Sequence, residues 1–235
     1  MNICVLGGTG FVGTELVARL ALAGHWVRVA TRNLARAQRL RVLETVELRV
    51  ADVHSPPTLG QLFADCDAVI NLVGILNPRR GASFHAVHTE LPAKVIAAAR
   101  AAGVRQVLHM SALGVDARAP SQYLRSKAAG EAQLRAAAPS SAQTQPAVTI
   151  LRPSVIFGAG DSLTNRFARL LRLTAGFLPL ARARARFAPI HVLDVAEAFQ
   201  RALGARASFG QVYQLCGPDL LTLAEIGRAS CRERV

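Results

Sequence analysis

Short apolar runs and stretches of helical periodicity alternate along the first two-thirds of the chain. Ile3-Cys4-Val5-Leu6 is an unbroken apolar run, as a strand buried on both faces requires. A glycine turn follows, then a helical pattern from Phe11 to Ala23. The same rhythm predicts strands over Trp26 to Thr31, Val46 to Ala51, Ala68 to Val73, Arg105 to His109 and Val148 to Leu151. Between them it predicts a short basic helix from Asn33 to Arg41 and a helix containing Leu59 to Phe63. A long Ala-rich helix from Ala86 to Ala102, interrupted near its start by Pro92, and a helix from Tyr123 to Ala137 complete the series. Six strands alternating with helices specify βαβ units, and hence an α/β fold with a doubly wound parallel sheet. The ligand crevice of such a sheet lies at the carboxyl ends of its strands. Past Arg152-Pro153 the alternation lapses. Residues 1–152 are read as the sheet domain and 153–225 as a smaller lobe of loops and helices interleaved with it.

Residues 226–235 break off a helical pattern begun at Leu221 and resemble the translation of a sequencing-library adapter. They are read as a non-native tail, which leaves the C-terminal lobe truncated. Lys and Arg number 28 against 15 Asp and Glu, a net charge of +13. Without Arg228, Arg232, Arg234 and Glu233 of the tail, the charge is +11. Only Lys94 and Lys127 are lysines. Half of the residues are hydrophobic, ample for a core, yet no apolar run reaches the roughly 18 residues that span a bilayer. The start has no signal-peptide pattern, so a cytoplasmic location is expected. Cys4, Cys66, Cys216 and Cys231 lack a C-x-x-C spacing, which argues against a disulfide framework or a zinc site.

Gly7, Gly8, Thr9, Gly10, Phe11, Val12 and Gly13 join the first strand to the first helix. Glycines there allow a tight turn and let backbone N–H groups approach a pyrophosphate at the helix N-terminus. Two registers fit, G-x-G-x-x-G from Gly8 and G-x-x-G-x-x-G through Gly7, Gly10 and Gly13. The second resembles the short-chain dehydrogenase/reductase superfamily, particularly its extended, epimerase/dehydratase-like and atypical branches, which have a Rossmann-type sheet. The end of the second strand then selects the nucleotide. Ala30-Thr31-Arg32-Asn33-Leu34-Ala35-Arg36 offers no carboxylate for ribose hydroxyls but two arginines for a 2′-phosphate, favouring NADP(H) over NAD(H). The resemblance further implies adenine contact at Asp52 and cofactor contact at Asn71, Val73 and Gly74. Asp52 and Asn71 would equally serve as helix or turn caps.

Ser111 closes the fifth strand, and Tyr123-Leu124-Arg125-Ser126-Lys127 places a Y-x-x-x-K on the following helix. Positions four apart share a helix face, so phenol and ammonium point the same way. The ammonium is expected to lower the phenol's pKa toward the working range of an acid/base. The superfamily resemblance implies that Lys127 also holds the nicotinamide ribose and that Ser111 binds the substrate oxygen. A compact titratable lysine in a chain that otherwise uses arginine strengthens this assignment. A surface Tyr and Lys on an amphipathic helix is the plain alternative.

Arg152-Pro153-Ser154-Val155-Ile156-Phe157-Gly158 resembles the superfamily stretch that passes the nicotinamide, implying a cofactor contact at Pro153. Pro189-Ile190-His191-Val192-Leu193-Asp194-Val195-Ala196 resembles its returning element, where Asp194 reads as a helix cap. Ser111-Ala112-Leu113-Gly114, Tyr123-Leu124-Arg125-Ser126-Lys127 and Arg152-Pro153-Ser154-Val155-Ile156-Phe157-Gly158 are most similar to relatives of the nucleotide-binding accessory subunit of respiratory complex I. Arg166, Arg169, Arg172, Arg182, Arg184 and Arg186 are interleaved with Phe and Leu. A solvated face is the plain reading; attraction to an anionic membrane, a phosphorylated substrate or an acidic partner is the other. No nucleic-acid-binding motif occurs, and aromatic residues make up 5%. The histidines show no metal spacing and receive no role; Arg79 and Arg80 are either candidates for the substrate mouth or ordinary loop arginines that need no such explanation. The expected activity is NADP(H)-dependent hydride transfer to or from a carbonyl/alcohol. The rival is a non-catalytic NADPH-holding accessory or assembly subunit of a complex I-like assembly, peripheral at the inner face of the membrane. A methyltransferase on a similar glycine turn would leave the Y-x-x-x-K unexplained.

Overall fold

The computed structural model describes residues 1–78, 81–137, 146–161 and 183–232. Seven strands form the central sheet: β1 (Asn2–Leu6), β2 (Trp26–Thr31), β3 (Val46–Val50), β4 (Ala68–Asn71), β5 (Gln106–Met110), β6 (Ala147–Pro153) and β10 (Val212–Leu215). Their order is β10-β6-β5-β4-β1-β2-β3, and every pairing is parallel. Short strands β7 (Ile156–Phe157) and β9 (Ile190–His191) pair with each other, as do β8 (Arg186–Phe187) and β11 (Leu221–Thr222).

Alternation along each strand sorts the core into two layers. Ile3 and Val5 face the helices α1 (Phe11–Leu22) and α5 (Val192–Ala202), packing with Leu16, Leu20, Val195 and Phe199. Cys4 and Leu6 face the opposite layer, α2 (Pro56–Phe63), α3 (Leu91–Ala101) and α4 (Gln122–Ala137), with Phe63, Val95 and Leu134. A sheet covered on both faces is why its strands are apolar throughout.

The strand order reverses at β1, which lies between β2 and β4. Register aligns the carboxyl ends there, with Leu6 beside both Ala30 and Asn71, and Asn71 beside His109. The glycine turn, Arg32, the segment after Asn71 and Ser111 therefore leave the sheet along one edge, at the switch point where such sheets bind ligands.

Several sequence expectations change. The short basic helix is a 3-10 segment, Leu34–Leu40, whose first turn is capped by Asn33 Oδ1 accepting from Ala35 N–H. Pro92 does not interrupt the Ala-rich helix. Ala86–Glu90 wind as one wide turn, with Leu91 N–H bonded to Ala86 O, and Pro92 is the second residue of α3. Proline has no N–H to offer the carbonyl four residues back, which is that of His88. That carbonyl faces α4, where a Cβ on Gly130 would fall 1.8 Å from its oxygen.

The C-terminal segment supplies a seventh sheet strand, β10, and a core helix, α5. Helix α6 (Leu223–Arg232) runs without a break through Ile226, which is buried, so the interruption expected there does not occur. His191 caps α5 by accepting from Leu193 N–H, which leaves Asp194 within the first turn rather than at the cap. Among the described residues no helix is long and apolar enough to cross a membrane.

Candidate functional site

The glycine turn is held by backbone hydrogen bonds and by the Thr14 hydroxyl, which donates to Gly10 O at 2.9 Å. Gly10 N–H donates to Gly7 O at 3.0 Å, and Gly7 sits at φ +80°, a region glycine enters without steric cost. A Cβ on Gly13 would lie 2.3 Å from Gly7 O, and one on Gly8 would lie 2.8 Å from Val29 Cγ1. Helix α1 starts with no side-chain cap on Gly10 and no acidic residue in its first turn. Phe11, Val12 and Gly13 thus begin a helix whose first N–H groups and positive dipole end suit an anion such as a pyrophosphate. Thr9 is half-buried within the turn and Val12 lies in the core.

Contacts lead from this turn to the Tyr/Lys pair. A Cβ on Gly7 would lie 3.2 Å from Val73 N, and one on Gly74 would lie 3.4 Å from Lys127 Nζ. Lys127 is 3% exposed, and its Nζ donates to Met110 O at 2.9 Å, immediately before Ser111. Ser111 is anchored through its N–H to Leu151 O, and its Oγ is buried without a hydrogen-bond partner among the described residues. Asn71 is turned inward: its Oδ1 accepts from Val73 N–H, so its amide Nδ2 donates to His109 Nδ1 at 3.3 Å. That leaves the His109 proton on Nε2, also buried and unpartnered among the described residues. The geometry brings Gly74 and the end of β5 at Ser111 to Lys127, while Tyr123 lies one turn earlier on α4 with its ring against His88 and Phe84, and Asn71 acts through the turn it fixes.

The electrostatics differ from the sequence expectation. Burial pushes the Tyr123 phenol above its ordinary value, so the expected lowering by Lys127 is absent. Burial also pulls Lys127 down to about 8, an effect that the Glu131 carboxylate one turn further along α4 opposes. Two groups that each lose hydration move toward their neutral forms.

Of the remaining candidates, only Pro153 neighbours this centre, since its strand holds Ser111 through Leu151 O. Arg32 is exposed just beyond β2, and the Arg36 side chain lies outside the described residues. Asp52 is exposed, and its Oδ1 accepts from His54 N–H, closing a turn ahead of α2. Pro153 is buried at the end of β6, with its carbonyl accepting from Leu113 N–H. Arg79, Arg80, Arg166, Arg169, Arg172 and Arg182 lie outside the described residues; Arg184 and Arg186 are exposed. An open apolar groove between α2 and α3 contains none of these candidates.

Residues 3–216 match the sequence pattern of the NAD dependent epimerase/dehydratase family. The chain belongs to that family. It is 32% identical over 230 residues to the NADH dehydrogenase [ubiquinone] 1 alpha subcomplex subunit 9 of Arabidopsis thaliana, covering 94% of this chain and 55% of that protein. It is 34% identical over 194 residues to the ceramide reductase of Caulobacter vibrioides, covering 83% of this chain and 58% of the reductase. The chain therefore spans little more than half the length of either relative. The fold superposes on MoeE5 in complex with UDP-glucuronic acid and NAD with a TM-score of 0.82, at 20% identity, covering 100% of this chain and 82% of MoeE5. The Thermus thermophilus UDP-glucose 4-epimerase complex with NAD gives 0.80 at 23% identity, covering 99% and 83%.

Two features of this epimerase/dehydratase chain escaped the sequence reading. His88, set aside for want of metal spacing, packs edge-on against Tyr123, with ring centroids 5.3 Å apart. Glu131, 1% exposed, receives two hydrogen bonds from Arg152, at 2.8 and 2.5 Å, and one from Arg135 at 2.7 Å. The four-residue spacing of Tyr123, Lys127, Glu131 and Arg135 was the available signal, since it puts all four on one face of α4.

Proposed function

We propose that the protein is an NADP(H)-binding oxidoreductase passing hydride between nicotinamide and a carbonyl or alcohol. The observation that carries this reading is the buried Lys127 ammonium, on the Tyr123 face of α4 and bonded beside a Ser111 hydroxyl that has no partner among the described residues. Bound nicotinamide supplies or accepts the hydride. The glycine turn would take the pyrophosphate, Arg32 the 2′-phosphate, Asp52 the adenine, and Asn71, Val73, Gly74, Lys127 and Pro153 the nicotinamide end. Ser111 orients the substrate oxygen. In reduction, Tyr123, kept protonated by burial, gives its phenolic proton to that oxygen as negative charge develops. Lys127 offsets the phenolate left behind.

Reduction should accordingly weaken above about pH 8, where Lys127 loses its charge. A rate that stays level from pH 7 to pH 9.5 would count against the role of Lys127. Isothermal titration should show NADPH binding more tightly than NADH, and Arg32→Glu should reverse the order. Tighter NADH binding by the unaltered chain would remove the NADP(H) preference.

A second reading is favoured by the similarity to the complex I alpha subcomplex subunit. In it the protein holds NADPH without turnover, as an accessory or assembly subunit at the inner membrane face, with its arginines toward an acidic partner or anionic lipid. Tyr123→Phe separates the two. Hydride transfer lost with nucleotide retained supports the enzyme, whereas full function in cells with nucleotide retained supports the subunit.

A further inference from the structure

His88 is 1% exposed, and every polar atom of its ring is committed. Ser126 Oγ donates its only proton to Tyr123 O at 2.7 Å, so the 2.9 Å contact between His88 Nδ1 and Ser126 Oγ has the imidazole as donor. Nε2 is then the unprotonated nitrogen, and it accepts from Ile75 N–H at 3.1 Å. Both bonds call for the same tautomer, with the proton on Nδ1. The ring plane is fixed in turn by stacking on Phe84, with centroids 5.4 Å apart and planes 24° apart. Tyr123 meets the edge of both rings, at 5.3 Å from His88 and 6.0 Å from Phe84. The backbone is pinned as well. Thr89 Oγ1 donates to Ser126 O, and the His88 carbonyl, relieved of a helical partner by Pro92, rests where Gly130 has no side chain.

We propose that His88, as the Nδ1–H tautomer, is the positioning residue that sets the orientation of the Tyr123 ring and ties it to the segment after β4. One imidazole joins three segments: Gly74-Ile75 beside Lys127, the wide turn ahead of α3, and the first turns of α4. It is not a proton donor itself, because burial and the Lys127 ammonium hold it neutral, with its pKa near 3. The inference rests on the catalytic reading of Tyr123 for its effect on rate, though not for its geometry.

The chain has two tyrosines, so ring-labelled tyrosine in a Tyr213→Phe background reports Tyr123 alone by NMR. Long-range proton–nitrogen spectra should show His88 protonated on Nδ1; protonation on Nε2 overturns the proposal. Ser126→Ala keeps all three rings but removes the His88 Nδ1 bond together with the Ser126 Oγ–Tyr123 O bond, whereas His88→Phe keeps a ring, removes both His88 ring bonds and leaves the bond to Tyr123 O in place. Each should shift the Tyr123 signal. Each should also lower kcat for NADPH-dependent carbonyl reduction, by roughly 10-fold in His88→Phe, with KM and NADPH affinity within about 2-fold. His88→Gln, which can still accept from Ile75 N–H, should recover part of the rate. A Tyr123 signal unmoved in both variants, or a moved signal with undiminished kcat, overturns the proposal. If the unaltered chain transfers no hydride yet the signal moves, the catalytic reading of Tyr123 fails while the orienting role of His88 stands.

Discussion

Lys127 carries a cost that its fold position makes measurable. A lysine pulled from 10.5 to about 8 is penalised whenever it is charged inside the protein. Below pH 8 it is protonated in both folded and unfolded chains, and the penalty is constant. Between pH 8 and 10.5 the unfolded chain binds the extra proton, so stability climbs with pH, and above 10.5 the penalty has gone. Lys127→Met should therefore gain about 3 kcal/mol at pH 7 and lose that advantage by pH 10.5. Urea unfolding of both proteins at the two pH values checks this, and an equal gain at both would exclude a charge effect. His88 works with the same sign at acid pH. Its folded pKa lies below that of the unfolded chain, so stability falls as pH drops from about 6.5 toward 3. His109, held neutral by burial, adds to that loss.

At the scale of elements, the close approach of α4 to the turn ahead of α3 decides where the Tyr/Lys face points. Proline at position 92 and glycine at position 130 are complementary: one frees the His88 carbonyl, the other makes room for it. Gly130→Ala puts a methyl group where that oxygen lies, and α4 has to shift. The expected cost is about 3 kcal/mol or more, read as a lower melting temperature, together with weaker Tyr123-dependent activity. Gly60→Ala, with open space at its Cβ, serves as the control and should change little. The presence of these helices was legible in the sequence, because apolar periodicity reports which face is buried. The wide turn was not, because proline in a helical pattern signals a break and carries no information about the carbonyl it leaves behind. His88 was missed for a related reason: its partners lie on α4 and after β4, and no local spacing announces them.

For the molecule as a whole, the sheet rhythm of the first half gave the correct strand sequence through β6. The C-terminal half was harder to read because β10 is a four-residue edge strand with Tyr213 and Gln214 exposed, lacking the apolar run of a central strand. Its helix α5 is nonetheless part of the central core, since Phe199 and Val195 are fully buried with Leu16 and Leu20 of α1. A chain ending after residue 161 would expose that whole face of α1. It should lose cooperative melting and bind a hydrophobic dye, while a sharp native-like transition would show that the sheet domain stands without α5 and β10. Glu131 and Arg152 also join distant parts, α4 and β6, through an ion pair whose carboxylate is buried and whose guanidinium is partly exposed. Removing the carboxylate alone, as in Glu131→Ala, should cost about 2–3 kcal/mol in urea unfolding, because the partly buried Arg152 would be left with an uncompensated charge.

The position of β10 has a consequence during synthesis. β6 and β10 pair in parallel although roughly 60 residues separate them, so no hairpin can close that edge early. At a pace of roughly 10 residues per second, the β6 edge waits about 6 s on the ribosome for its partner. Through that interval Val148, Ile150 and Leu151 border an open row of N–H and C=O groups, ready to pair with another nascent chain. Of the seven strands of the central sheet, the last in sequence is thus the one that covers the β6 edge.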